Sequence, residues 1–314
     1  MRAETQWLRF AHRTALLSVL TLLVVACRST SSGQQKFATP EEAMAALADL
    51  IGQDDSARVD AVLGEGAYEL LSSGDPVIDR EDAGKVKEMI LEGVDFADED
   101  GQSIAYIGGS GWPFPIPLVQ DEGGWRFDLE AGHEEILTRR IGRNELVAVA
   151  TMRALAEAQH EYAAVGRDGK PPCFAAKLWS EPGLHDGLYW ETAEGEPESP
   201  MGPLVAEATE EGYTRQSGGP VPYHGYCFRL LTGQGAHAPG GAKDYLDGDG
   251  LLTKGFAVVA WPATYGNSGI MTFLVNQQGI VFERDLGEDT PAIVKEMKAY
   301  DPGADWYPSE DVED

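Results

Sequence analysis

Apolar residues recur at helical spacing most plainly over 139–164. From Ile141 the chain reads IGRNELVAVATMRALAEAQHEYAA, strong helix formers with no proline and no glycine after Gly142. Ala148, Met152, Leu155 and Tyr162 share one face, with Val149 and Ala156 beside them. The spacing predicts a helix of about six turns that ends near Gly166. Asn144 stands where it can cap the first turn, and Glu145 where the helix dipole favours an anion.

The chain before this helix begins with Thr39-Pro40-Glu41-Glu42, a cap followed by proline at the first helical position. Ala43, Met44, Leu47 and Leu50 continue an amphipathic helix, and further helices are predicted over 57–63 and 80–91. The period then shortens to two. Strands are predicted over 103–107 and 124–128, and an edge strand over 115–119, whose Pro115 and Pro117 cannot donate to a ladder. After the long helix comes an irregular stretch, 168–219, rich in Pro and Gly and carrying Gly187-Leu188-Tyr189-Trp190. A loop of that length inside a folded domain is functional or packed down by its aromatics. Strands follow over 223–231, 255–261, 270–276 and 280–284, then a closing helix over 291–300.

This order predicts an α+β fold in two domains. Residues 37–138 place helices against a curled antiparallel sheet, residues 139–305 lay the long helix on a four-stranded antiparallel meander, and 306–314 form an acidic tail.

The first residues change the address. Arg2, Arg9 and Arg13 precede an apolar run over 15–25 that is too short to span a bilayer, and Val24-Val25-Ala26 precedes Cys27. This resembles the lipobox of bacterial lipoproteins, which implies a signal peptide over 1–26 and lipidation of Cys27; an ordinary signal peptide is the other reading. Residues 27–36 read as a short polar tether. The mature protein is then expected on the periplasmic side of the cell envelope, held to a membrane by its lipid.

Charge narrows the partners. The chain carries 24 Lys and Arg against 52 Asp and Glu, a net charge of −28. Such a surface repels nucleic acid. Beyond Cys27 only Cys173 and Cys227 remain, which either pair as a disulfide in an oxidising compartment or stay free; no C-x-x-C occurs.

Several motifs carry a family resemblance: WPFPIPLV at 112–119, GGWRFD at 123–128, RRIGRNE at 139–145, DGLYW at 186–190, YHGYCFRLL at 223–231, GFAVVAWPATYGNSGIMTF at 255–273 and VNQQGIVFERDLG at 275–287. They resemble a bacterial envelope family catalogued as domain of unknown function 2950. The resemblance implies an exported protein and brings no catalytic assignment; Cys227 stands where the family has an aromatic. The element order of the first domain is also similar to the cone-shaped folds of the nuclear-transport-factor type. Ala158, Gln159 and Tyr162 with the Gly225-to-Phe228 and Ala260-to-Pro262 strands resemble the globular part of type IV pilins and pseudopilins.

Common catalytic sets are missing. His133-Glu134-Glu135 lacks a second histidine four residues on, so two zinc ligands do not share a helical face. Ser110 and Ser268 are not in a Gly-x-Ser-x-Gly elbow, and no phosphate-binding glycine loop occurs. Asp244, Asp247 and Asp249 suggest either calcium or a solvated acidic turn, but the spacing puts Phe256 where an EF-hand needs its last ligand. Arg139, Arg140 and Arg143 either clamp an anion or pair with the acidic surface between the domains. His185, Asp186, Tyr189 and Trp190, and Tyr223 with His224, put imidazoles and rings on loops, where binding sites tend to lie. These observations favour a non-catalytic, cofactor-free binding or scaffolding lipoprotein whose partner is another envelope protein or a glycan. The alternatives are a hydrolase using His185 or His224 with the junction arginines, and a component of a pilus-like or secretion assembly.

Overall fold

The computed structural model describes residues 33–193, 195–214 and 222–309. The signal segment, Cys27, the tether as far as Ser32 and the end of the acidic tail lie outside the described residues. Helix α1, Pro40–Leu50, starts as expected: Thr39 Oγ1 accepts from the Glu42 amide at 3.3 Å, and the Glu42 carboxylate accepts from the Ala38 amide at 3.0 Å. Helices α2 (Ser56–Leu63), α3 (Ala67–Leu71) and α4 (Pro76–Glu92) follow. α4 begins four residues earlier than its apolar spacing suggested, because Asp75 caps it and Pro76 occupies its first turn.

Strands β1 (Val94–Glu99), β2 (Gln102–Ile107), β3 (Trp112–Pro113), β4 (Leu118–Asp121) and β5 (Gly124–Phe127) make an antiparallel sheet ordered β1-β2-β4-β5, with β3 also on β2. The edge strand expected over 115–119 is corrected. Only Leu118 and Val119 of that stretch enter β4, which lies between β2 and β5, and its prolines fall in the approach where no ladder donor is needed. Met44, Leu47, Leu63, Ile107, Leu118 and Phe127 form the core beneath this sheet.

Helix α5 runs unbroken over Leu129–Ala163, 35 residues and so about 50 Å. It begins well before Arg139, which overturns the capping role of Asn144 and the dipole role of Glu145. Asn144 is fully buried in mid-helix and donates from Nδ2 to the Ser268 carbonyl at 2.9 Å. Glu145 Oε1 accepts from the Ile270 and Met271 amides, both at 2.9 Å. Both side chains therefore pin a turn 120-odd residues away in sequence. Ile136 belongs to the first core, while Ala148, Met152, Leu155, Ala156 and Tyr162 belong to the next.

Beyond α5 the stretch expected to be irregular contains helix α6, Gly202–Glu210. Strands β6 (Tyr226–Leu231), β7 (Gly233–Gln234), β8 (Lys243–Asp244), β9 (Ala257–Pro262), β10 (Met271–Asn276) and β11 (Phe282–Asp285) come next. Helix α7 (Thr290–Glu296) and strands β12 (Ala299–Tyr300) and β13 (Tyr307–Pro308) end the described chain. The four-stranded antiparallel meander is present as β6-β9-β10-β11, and β13 adds a fifth strand on its outer edge. The closing helix is shorter than predicted, since the chain becomes extended at Met297 and pairs β12 in parallel with β7. One face of the sheet, through Val258, Ala260, Phe273 and Val275, packs on α5; the other, through Ala257, Val259 and Leu274, packs with Tyr245, Val294 and Tyr300. Burial on both faces explains why β9 is almost wholly apolar. The two halves keep separate hydrophobic clusters, and contacts join them into one unit from Gly33 onward. No helix among the described residues is long and apolar enough to cross a membrane.

Candidate functional site

Past the end of α5 the chain folds back along the helix. Gln159, fully buried, donates to the Ala175 carbonyl and accepts from the Ala175 amide, both at 2.9 Å, and this holds the returning strand in place. Trp179 then pairs with Tyr189 as an isolated parallel bridge, with Ser180 donating to the Tyr189 carbonyl at 2.8 Å and Tyr189 to the Leu178 carbonyl at 2.9 Å. Gly187 is required at the crossing: a Cβ there would meet Ser180 N and Trp179 C at 2.6 Å. Asp186 closes the loop by binding Lys177 Nζ at 2.7 Å and the Glu181 amide at 2.9 Å. The braced loop carries Trp179, His185, Tyr189 and Trp190 to one wall of a cavity of about 910 Å³. Thr151 and Leu155 of α5 form its floor, Leu204, Val205 and Ala208 of α6 a second wall, and Tyr213, Tyr223 and Phe228 a third.

The rings meet edge to face. Trp179 and Tyr189 have centroids 5.0 Å apart at 71°, Tyr213 and Tyr223 5.1 Å apart at 65°, and His185 and Trp190 4.8 Å apart at 82°. This is the arrangement ring quadrupoles prefer. His185 is held from behind: its Nδ1 lies 2.9 Å from Asp168 Oδ1, its amide donates to Asp168 Oδ2 at 2.8 Å, and Tyr162 donates to its carbonyl at 2.6 Å. The hydrogen bonds from His185 hold the Asp168 carboxyl below the usual carboxylate range, while burial pushes the Tyr162 hydroxyl up to about 12. The Arg167 guanidinium stands 4.5 Å from the Tyr162 ring and 5.5 Å from that of Trp190. On the opposite wall Tyr213 donates to Asp75 Oδ2 at 2.7 Å and accepts from the His224 amide at 3.1 Å. Burial, then the negative charges of Glu211 and Glu207, push the Tyr223 hydroxyl well above its ordinary value.

The cavity lies wholly within residues 34–308, the part of the chain matched by the family model described as Protein of unknown function (DUF2950). The chain belongs to this family. No curated protein matches it, and no solved structure matches it.

In this DUF2950 protein four residues singled out on loops, His185, Tyr189, Trp190 and Tyr223, are brought together on the cavity wall. Asp186 braces the loop from outside. His224 sits behind Tyr223, its Nε2 3.0 Å from Glu211 Oε2 and its backbone in the left-handed region at φ 46°, which positions the wall rather than facing the cavity. The three arginines do not converge. Arg139 stacks on Trp112 at 4.7 Å and donates to Glu135 and the Pro113 carbonyl. Arg140, buried, donates to the Leu70 and Leu71 carbonyls and to Asn267. Arg143 grips Asp82 with both Nη atoms, at 2.9 and 2.7 Å. Arg140 and Arg143 thus tie α3 and α4 to α5, Arg139 ties β3 to it, and the three leave no common anion clamp.

Cys173 and Cys227 are both free, so the disulfide reading is corrected. Their surroundings differ: Cys227 is paired across the sheet with Trp261 and feels Asp75, whereas Cys173 sits near Lys170, Arg167 and Asp247. The acidic turn is held by its own backbone amides. Asp247 accepts from the Asp249 and Leu251 amides and Asp244 from the Leu246 amide, and no metal-holding group of three His, Cys, Asp or Glu occurs among the described residues. Trp179 and Tyr213 were not singled out from sequence. A tryptophan ten residues before Tyr189 in the same loop was an available signal; for Tyr213 there was none, because α6 itself was read as loop.

Proposed function

We propose that this protein is a non-catalytic binding protein of the bacterial cell envelope, anchored by a lipid on Cys27, and that the aromatic cavity is where it holds its ligand. The observation that supports this reading is the convergence of Trp179, Tyr189, Trp190, Tyr213, Tyr223 and Phe228 on one space of about 910 Å³. That is the size and lining of small-molecule sites, with rings for contact and a few polar groups for orientation. The rigid bracing of the loop also supports binding, since a site already formed loses little entropy when filled.

Two measurements test it. Mass spectrometry of the mature N-terminus is expected to find an acylated Cys27, and Cys27→Ser to release the protein into the soluble fraction. In a ligand-observed NMR screen, hits found with the wild type should disappear with Ala208→Trp, which fills the cavity; hits that survive it would place binding elsewhere.

One arrangement favours a second reading, a hydrolase. Asp168 orients the His185 imidazole on the cavity wall, the geometry of a general base. Ser180 is engaged with Gly187, its Oγ accepting from that amide at 2.9 Å. Turnover of an envelope substrate that His185→Ala abolishes without loss of binding would favour this reading over the first.

A further inference from the structure

Strand β1 ends the N-terminal sheet and pairs with β2 alone among the described residues. The opposite end strand, β5, is covered by Phe37, which exchanges both backbone hydrogen bonds with Trp125 at 2.8 Å. At the entry to β1 the Gly108 amide donates to the Gly93 carbonyl at 3.0 Å, so Asp95, Ala97 and Glu99 turn their amides and carbonyls toward β2. Val94, Phe96 and Asp98 turn theirs away from the sheet, and the backbone groups of Phe96 and Asp98 meet no partner among the described residues. Extended backbone left open in this way is a template for one more strand.

The side chains say what kind of strand fits. Val94 and Phe96, opposite the buried Ile107 and Ala105, pack half-buried against the first core, and the last turn of α4, which leads into β1, leaves Leu91 71 % exposed. An added strand would cover this margin with an apolar residue at every second position. The solvent face carries Asp95 and Glu99, both exposed, and Glu99 accepts from the Tyr106 hydroxyl at 2.9 Å. Asp95 and Asp98 form no ion pair among the described residues. Carboxylates on an edge strand keep unsuited strands off. A second copy of β1 would set carboxylate against carboxylate across the new ladder, which destabilises it, whereas a cationic strand would set opposite charges there.

We propose that β1 is a docking edge for an extended basic segment of a partner protein, which joins the sheet as a further strand. Its lysines or arginines stand on the solvent face across from Asp95 and Glu99, and its apolar residues lie on the core face beside Phe96. The open amides and carbonyls of Phe96 and Asp98 supply the main-chain bonds, and the alternation of charge and apolar residue sets the register. β1 packs on the first core and the cavity on the second, so docking here is independent of what the cavity holds.

The test uses the full-length mature protein in a non-ionic detergent and the labelled peptide Lys-Val-Lys-Val-Lys-Val-Lys, read by fluorescence polarisation. It is expected to bind about tenfold more tightly than a peptide with the same lysines and valines in separate blocks, which keeps the charge and loses the alternation. Binding should slow hydrogen exchange at the outward amides of Phe96 and Asp98. Asp95→Lys combined with Glu99→Lys, both at exposed positions, should abolish it and admit Glu-Val-Glu-Val-Glu-Val-Glu instead. Asp98→Pro removes an outward amide and no bond to β2, and should weaken binding about tenfold, more than Asp98→Asn does. Equal binding of the block peptide, or binding that leaves exchange at Phe96 and Asp98 unchanged, would overturn strand addition; binding of neither peptide would mean that the carboxylates only guard the edge. Exchange slowed by raising the protein concentration without peptide would give the edge to a second copy and overturn the basic partner.

Discussion

Asp75 is only 2 % exposed, yet as a carboxylate it serves three donors from three parts of the chain. Its Oδ1 accepts from Val77 at the start of α4, and its Oδ2 from the Tyr213 hydroxyl at 2.7 Å and the Gly225 amide at 3.3 Å. A neutral amide accepts more weakly and brings donors with nowhere to go, so Asp75→Asn is expected to lower stability by about 2 to 3 kcal/mol. Urea unfolding at unchanged m-value measures it. The same carboxylate adds to the effect of burial on Cys227, whose thiol is pushed up to about 11. A thiol with a raised value in the folded state contributes stability that is complete below its unfolded value and is lost as pH rises through the folded one. Stability should therefore fall from about pH 8.5 upward toward about 11, and Cys227→Ala should flatten that slope in denaturant titrations across the range. At pH 8 in the native protein, maleimide should leave Cys227 unmodified until denaturant is added, as peptide mapping will read.

Helix α5 links the two hydrophobic clusters, so its continuity is the main question about any single element. Gly142 lies within it with open space around a would-be Cβ. Gly142→Ala is expected to stabilise the protein by about 0.5 to 1 kcal/mol, as replacing a mid-helix glycine does. A chain broken at that point would show no gain in thermal unfolding. Further along, Met152 is fully buried between α5 and the β9-β10 face, and Met152→Ala should cost about 2 to 5 kcal/mol. Gly225 is the contrasting glycine. Its φ is +74°, and a Cβ would meet Asn144 Nδ2 at 2.6 Å, so alanine there strains the turn that leads into β6 and displaces the Asn144 bond to Ser268.

At the level of the molecule the net charge of −28 sets the response to solution conditions. Carboxylates outnumber cations by more than two to one, and many of the cations are already committed, Arg140 and Arg143 to the junction and Lys177 to the cavity loop. Like-charge repulsion across such a surface opposes the compact state and is screened by salt. The melting temperature is accordingly expected to rise between low and moderate sodium chloride, as differential scanning calorimetry will show; a fall would mean that the ion pairs at the junction outweigh the repulsion.

Local physics carried most of the secondary structure. The Thr39-Pro40 cap and the strands expected over 103–107, 255–261 and 270–276 are decided within a few residues, and they stand within two residues of where the pattern put them, unlike the edge strand over 115–119. The start of α5 did not show because its first turns carry Glu130, His133, Glu134 and Glu135, with Leu129 and Ile136 seven residues apart as the apolar residues that reach the first core. Asn144 looked like a cap because asparagine favours caps, and its real partner, Ser268, is 124 residues away. The rings of the cavity were partly legible, since aromatics on loops are conspicuous, but their meeting was not. Trp179, Tyr213 and Tyr223 belong to separate segments, and only the fold-back held by Gln159 and the docking of α6 bring their faces to one space. The sequence by itself determined the elements, the acidity and the residue types; convergence, burial and hydrogen-bond partners depend on contacts between distant segments, and those the tertiary structure alone decided.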